Sequence, residues 1–131
     1  MNPPKMDGAQ ALIKTLADLG IEYVFGYSGG AAIPIFDALQ TVKTDMKFVL
    51  VRHEQGAVHM ADGYARATGK PAVVLVTSGP GAGNTVTGIM TAQMDSVPMI
   101  VLCGQQVTWM LGKDAFQEAD IFNITSPVVK H

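Results

Sequence analysis

The hydrophobic positions of the chain alternate between two kinds of spacing along its length. Leu12, Leu16 and Leu19 recur at helical spacing, and Gly20 directly after them is typical of a helix end. Runs such as Ala72 to Val76 are instead continuously apolar, which is typical of a strand covered on both faces. The pattern predicts helices over residues 9–19, 31–39, 54–68, 84–94 and 116–122, strands over 22–25, 47–51, 70–77 and 99–103, and a last extended piece over 128–130.

Strands that alternate with helices are typical of βαβ units. We therefore predict an α/β fold of three layers, in which a mainly parallel sheet carries helices on both faces. Ligands of such sheets bind at the carboxyl ends of the strands. Three predicted loops leave strands at that edge, over residues 26–30, 52–54 and 78–84, and functional residues are expected there.

The composition narrows the class of protein. The 131 residues contain no repeat or linker, so we predict a single domain over residues 1–131. Only 15% of the residues are charged, which indicates that part of the surface is covered by a partner. The net charge of −2, without runs of Lys or Arg, does not favour nucleic-acid or membrane binding. A lone Cys103 and the absence of a signal segment or long apolar run predict a soluble cytoplasmic protein.

Two glycine-rich loops fit known motifs incompletely. Residues 26–30 fit G-x-S-x-G around Ser28, but the only histidine after the predicted strands is the last residue, His131, so a glycine-rich turn is preferred. Residues 79–84 nearly fit G-x-G-x-x-G, with Asn84 at the third glycine. No acidic residue follows the next strand, which disfavours a nicotinamide site. A plain turn and a loop whose N–H groups approach a ligand both stay open.

Glu54 lies where a strand ends and a helix begins. One interpretation is a helix N-terminal acid stabilised by the helix dipole, and the other is a buried carboxyl that holds a proton for chemistry. We do not expect the neighbouring His53 and His59 to form a metal site. Six residues of helix turn by about 600°, so these side chains lie on different faces.

The helix that begins at Glu54 is rich in small residues. Two interpretations stay open: tight packing on its own sheet, or a helix clasped at a subunit interface. The small residues are Gly56, Ala57, Ala61, Gly63, Ala65 and Ala67.

Five short motifs occur together in one order. They are Arg52–Ala57, Ala61–Arg66, Thr77–Ala82 with Asn84, Met94–Ser96 and Asp114–Glu118. In this order and spacing they resemble the N-terminal pyrimidine-binding domain of thiamine-diphosphate enzymes, specifically of acetolactate (acetohydroxyacid) synthase large subunits. The resemblance extends from about Gly8 to His131.

The resemblance implies a function and a set of site residues. Glu54 matches the glutamate that hydrogen-bonds N1′ of the aminopyrimidine and thereby activates thiamine diphosphate. The implied reaction decarboxylates pyruvate and condenses the product with a second 2-oxo acid, in branched-chain amino-acid biosynthesis. The other matches are Tyr27, Gly29, Pro80, Asn84 and Gln117 for the cofactor, Phe116 and Gln117 for the substrate, and Ser96 for FAD.

The chain departs from the family pattern at several points. Ser28 stands where the family loop usually has proline, and proline is often found near Val107, so loop rigidity and the access channel stay open. The Gly-Asp-Gly motif that holds Mg²⁺ and diphosphate does not occur, so the implied middle and diphosphate-binding domains are absent from this chain. The ending in a family strand suggests an excised piece. We expect this chain alone to be inactive and to bind the cofactor weakly.

The resemblance also implies partners and leaves alternatives. The implied partners are a second copy bound through the pyrimidine-binding domains, the diphosphate-binding domain of a partner subunit, and a regulatory small subunit. The alternative functions are another thiamine-diphosphate 2-oxo-acid decarboxylase or carboligase, a non-catalytic assembly remnant, and a serine hydrolase at Ser28.

Overall fold

A parallel sheet of four strands is the middle layer of the computed structural model, which describes residues 5–131. The strands are β1 Tyr23–Gly26, β2 Lys47–Leu50, β3 Ala72–Val76 and β4 Met99–Cys103, in the order β2-β1-β3-β4. The helices are α1 Gly8–Asp18, α2 Ile33–Thr41, α3 Glu54–Thr68, α4 Pro80–Gly83, α5 Val86–Met94 and α6 Ile121–Thr125. Short 3₁₀ turns cover Gly30–Ala32, Thr108–Met110 and Ser126–Val128.

Helices cover both faces of the sheet, as predicted. Val73 and Leu75 of β3 point to the face covered by α1 and α2, where they pack with Ile13. Val74 and Val76 point to the opposite face and pack with α3 and α5. Successive side chains of a strand alternate between faces, so a central strand that is apolar at every position needs a cover on each side.

Local sequence signals explain where the helices begin and end. Asp7 accepts a hydrogen bond from the backbone N–H of Gln10 at 2.8 Å, and the side chain of Gln10 caps Asp7 in return. The end of α3 lies at Gly69, whose φ of 73° is a left-handed conformation that glycine adopts without strain. The predicted bounds of α3 are confirmed. None of the helices in residues 5–131 is both long and apolar enough to cross a membrane.

The helix predicted over residues 116–122 is wrong, because the helix in this region, α6, covers only Ile121–Thr125. Gln117 has a φ of 56° and Asp114 a φ of 52°, so a right-handed helix cannot continue through them. The carboxylate of Glu118 instead accepts backbone hydrogen bonds from Gly112 and Ala115. These turns compete with the helical hydrogen bonds that the pattern of apolar residues favours.

Two further boundaries differ from the prediction. In the extended piece expected over residues 128–130, Val128 instead ends a 3₁₀ turn over Ser126–Val128, whereas Val129 is extended with a φ of −126° but forms no strand. The helix expected from Asn84 begins at Val86, and the preceding glycine-rich turn forms the separate helical turn α4.

Candidate functional site

The strand order creates a crevice at the carboxyl edge of the sheet. The chain leaves β1 towards β2 and leaves β3 towards β4, so the two connections diverge from neighbouring strands. Ligands of open α/β sheets bind at such a switch point. The backbone N–H of Tyr27 donates to the carbonyl of Leu75 at 3.1 Å, which ties the start of the β1 loop to the end of β3.

Glu54, the first residue of α3, has its side chain turned into this edge rather than into solvent. Only 8% of the residue is exposed, and its Oε2 accepts a hydrogen bond from Nδ2 of Asn84 at 3.0 Å. His53 caps the helix, since its Nδ1 accepts from the backbone N–H of Gln55 at 3.2 Å. Oε1 of Glu54 accepts no hydrogen bond from residues 5–131. The structure therefore shows a helix N-terminal acid that is also buried.

Glycines allow the loops to approach Glu54 closely. A Cβ on Gly81 would lie 2.7 Å from Cγ2 of Thr77 and 3.2 Å from Oε1 of Glu54. A Cβ on Gly29 would lie 2.5 Å from Cβ of Thr77. Only residues without side chains fit at these two positions, so the β1 loop and α4 both pack against Thr77.

Thr77 is a site residue that the sequence pattern alone did not identify. It follows the last residue of β3, it is 8% exposed, and its Oγ1 has no hydrogen-bond partner among residues 5–131. Buried hydroxyls are nearly always hydrogen-bonded, so an unpartnered one beside Glu54 is unusual. A polar residue at the carboxyl end of a fully apolar strand is the signal that could have identified it.

The loop after β4 joins the same edge. The carbonyl oxygen of Gln117 would lie 2.1 Å from a Cβ on Gly79, so the two backbones are in direct contact. A Cβ on Gly104 would lie 2.9 Å from Ala31. Phe116 beside Gln117 is 82% exposed. The structure thus brings Tyr27, Gly29, Glu54, Pro80, Asn84, Phe116 and Gln117 to the carboxyl edge.

Ser96 lies apart from these residues. It lies between α5 and β4, at the amino edge of the sheet, in a left-handed conformation with a φ of 56°. Ser28 is exposed, and its hydroxyl makes no hydrogen bond to a histidine of residues 5–131. The motif around Ser28 therefore has no base to activate it there, which agrees with its interpretation as a turn.

A cavity of about 320 Å³ lies beside the β1 loop but does not include Glu54. Ser28, Ile33, Phe36 and Phe48 contribute to its lining, on the side of α2. A second cavity, lined by residues such as Ala17 and Glu22, does not include Glu54 either.

Comparison with known proteins identifies the family. The family model described as "Thiamine pyrophosphate enzyme, N-terminal TPP binding domain" matches residues 6–124. The chain belongs to this family. The fold agrees, since an all-parallel sheet between helices is found over the matched residues.

Several similar proteins are named acetolactate synthase or acetolactate synthase large subunit. The acetolactate synthase isozyme 3 large subunit of Escherichia coli is 60% identical over 126 residues, and the acetolactate synthase large subunit of Haemophilus influenzae is 58% identical over 127 residues. These alignments cover 96% and 97% of this chain. The acetolactate synthase of Mycobacterium avium is 52% identical over the whole chain. The chain spans about a fifth of the length of these relatives, 21–22%.

Proposed function

We propose that this chain is the pyrimidine-binding part of a thiamine-diphosphate-dependent acetolactate synthase. The observation that carries the proposal is Glu54, which is buried at the carboxyl edge with one oxygen held by Asn84 and the other free of donors in residues 5–131. A fixed carboxyl with an unengaged oxygen is suited to exchange a proton with a ring nitrogen of a ligand.

The residues around Glu54 fit the aminopyrimidine of this cofactor. Oε1 of Glu54 and the unpartnered hydroxyl of Thr77 are polar atoms that a nitrogen heterocycle can satisfy, and Gly81 leaves space beside them. When bound, thiamine diphosphate supplies the carbon nucleophile and the electron sink for 2-oxo-acid chemistry. Glu54 would hold the proton at the ring nitrogen, while Asn84 orients its carboxyl. Tyr27, Gly29, Pro80 and Gln117 would contact the cofactor, and Phe116 with Gln117 the substrate.

The proposal places Mg²⁺ and FAD at different sites. Mg²⁺ would be held with the diphosphate by another domain, because no group of three or more His, Cys, Asp or Glu in residues 5–131 is arranged to hold a metal ion. FAD would contact this chain at Ser96, which is exposed at the amino edge of the sheet. Thiamine diphosphate would then bind at the carboxyl edge of the sheet and FAD at the amino edge.

The proposed partners follow from the exposed surface. Met60 on α3 and Met90 and Met94 on α5 are exposed, and these two helices pack against each other. Exposed apolar side chains on a chain with few charges favour a covered surface, and we propose a second copy bound there. Ala57, Ala61 and Ala65 pack within the domain, whereas Gly63 faces outward, so α3 can serve both roles. We also propose that the chain binds a partner's diphosphate-binding domain and a regulatory small subunit. The proposed location is the cytoplasm.

A chimera tests the proposed function. This chain replaces the matching segment of the Escherichia coli isozyme 3 large subunit, and acetolactate formation from pyruvate is measured. The unsubstituted chimera should be active, and Glu54→Gln should lower its rate by about 10²- to 10⁴-fold, the usual contribution of a general acid or base. Glu22→Gln is the matched control, because Glu22 lies at the amino end of β1, where it accepts hydrogen bonds from Tyr64 and Lys70.

The same measurement separates the alternatives. A folded but inactive chimera would overturn the proposal, and an active Glu54→Gln chimera would favour the assembly remnant. An aldehyde in place of acetolactate would indicate another 2-oxo-acid decarboxylase or carboligase. Calorimetric titration of the isolated chain with Mg²⁺ and thiamine diphosphate should show weak or no binding, since only half of the proposed site is present.

A further inference from the structure

A half-buried carboxylate organises the loop between β4 and α6. Oε1 of Glu118 accepts the backbone N–H of Gly112 at 2.5 Å, and Oε2 accepts that of Ala115 at 2.9 Å. The backbone N–H of Glu118 donates in turn to the carbonyl of Ala115 at 2.9 Å. These backbone donors lower the pKa of Glu118, because they stabilise its charged form. The side chain of Glu118 therefore holds the backbone of Gly112 and Ala115, which lie six and three residues before it in the chain.

The loop needs such a constraint, because its backbone adopts conformations that are rarely populated. Asp114 and Gln117 have left-handed φ values of 52° and 56°. Residues with side chains stay in this region only when surrounding contacts hold them there. The side chain of Gln106 donates to the carbonyl of Phe116, and the carbonyl of Gln117 packs on Gly79. The backbone on both sides of Phe116 is therefore fixed, although the Phe116 side chain is exposed.

We propose that Glu118 is a positioning residue, which fixes the backbone from which Phe116 and Gln117 reach the 2-oxo-acid substrate. The inference rests on the proposed function, since it concerns the substrate side of that site. Glu118 itself touches neither substrate nor cofactor in this proposal. Its two hydrogen bonds determine where the side chains of the two preceding residues begin, and hence how well they discriminate between acceptor 2-oxo acids.

Glu118→Gln in the chimera tests the role in the reaction. The amide replaces one acceptor oxygen with a donor group, so one of the two backbone hydrogen bonds is lost while the shape is kept. We expect the KM for 2-oxo acid to rise about tenfold, the equivalent of one lost hydrogen bond, and the ratio of the two acceptors, pyruvate and 2-oxobutanoate, to change. The affinity for thiamine diphosphate should change less than this KM, because Gln117 is the only proposed cofactor contact in this loop and the Glu54–Asn84 pair lies on other elements.

Asp120→Asn is the matched control. Asp120 also accepts a backbone N–H, that of Asn123 at 3.1 Å, but it caps α6 and makes no hydrogen bond to residues 112–117. Its acceptor ratio should equal that of the unsubstituted chimera. An unchanged KM and an unchanged acceptor ratio in Glu118→Gln would overturn the inference.

A second measurement does not depend on enzymatic activity. Trp109 is the only tryptophan of the chain, is 72% exposed and lies in the same loop. In the 131-residue chain, Glu118→Gln should lower the fluorescence anisotropy of Trp109, whereas Asp120→Asn should not. Equal anisotropy in all three proteins would contradict the role of Glu118. Lowered anisotropy together with an inactive unsubstituted chimera would instead refute only the proposed function.

Discussion

Two glycine-to-alanine substitutions in neighbouring helices should have opposite effects on stability. A Cβ on Gly88 of α5 would lie 2.6 Å from both Cβ and Cγ1 of Val58 in α3. Gly63 of α3 is exposed, and a Cβ there would meet no atom within 4 Å. Both residues lie inside helices, so the chemical change is the same and only the surroundings differ.

The expected magnitudes follow from the contacts. Alanine stabilises a helix interior by about 1 kcal/mol relative to glycine, and Gly63→Ala should gain about this amount. Overpacking a core costs about 1–3 kcal/mol. Gly88→Ala belongs at the upper end, because Val58 is fully buried and has one preferred rotamer in a helix. The helix gain offsets part of this cost, which leaves a net destabilisation of about 2 kcal/mol.

Urea and thermal unfolding of the isolated chain measure both effects. For a domain of this size, Gly88→Ala should lower the melting temperature by about 8 °C and Gly63→Ala should raise it by about 4 °C. Val58→Ala creates space for the new methyl group, so the double variant with Gly88→Ala should be more stable than the two single costs predict, by about 1 kcal/mol or more. A stable Gly88→Ala, or additive costs in the double variant, would refute the close packing of α3 on α5.

Two further predictions concern other parts of the fold. The Gly79→Ala variant should have a much lower melting temperature than the Gly69→Ala variant. Both glycines have a positive φ, but only Gly79 also contacts the carbonyl of Gln117. Equal melting temperatures of the two variants would contradict that contact. Burial raises the pKa of Cys103 to about 11, so the folded chain favours the thiol and should lose stability as the pH rises from about 9 to about 11. Urea titrations at each pH measure the free energy of unfolding, and this fall should be smaller in Cys103→Ser. If the free energy of unfolding of Cys103→Ser depends on pH as that of the unsubstituted chain does, Cys103 is not the cause of the fall.

The layers of the fold could be predicted because each helix and strand carries its own period. The apolar run of β3 predicts a strand covered on both sides, and Gly69 predicts the end of α3 to the residue. The helix expected around Phe116 failed for a physical reason. Its apolar spacing is helical, but Gln117 inside it has a left-handed φ of 56°, and the Glu118 hydrogen bonds that hold this turn depend on the three-dimensional path of the loop.

The candidate site, like the fold, could be predicted only in part from the sequence. The position of Glu54 after a strand marks it as a candidate, and the motif order indicates the family. The sequence does not show that Asn84 reaches the Glu54 carboxylate, since 30 residues separate them along the chain. The sequence also does not show that the hydroxyl of Thr77 lacks a partner, since its burial depends on the loops after β1 and β3 packing against it.

Close approach of backbones accounts for the glycines of this edge better than flexibility does. At Gly29, Gly79, Gly81 and Gly104, a Cβ would lie within 3.0 Å of a neighbouring loop or strand end. Each glycine therefore allows two segments to pack in direct contact, and together they bring the loops after β1, β3 and β4 to the edge that contains Glu54. This close packing helps to keep water away from the side chain of Glu54, which is 8% exposed. The close packing of this edge and the burial of Glu54 thus both depend on glycines that leave no side chain between the loops.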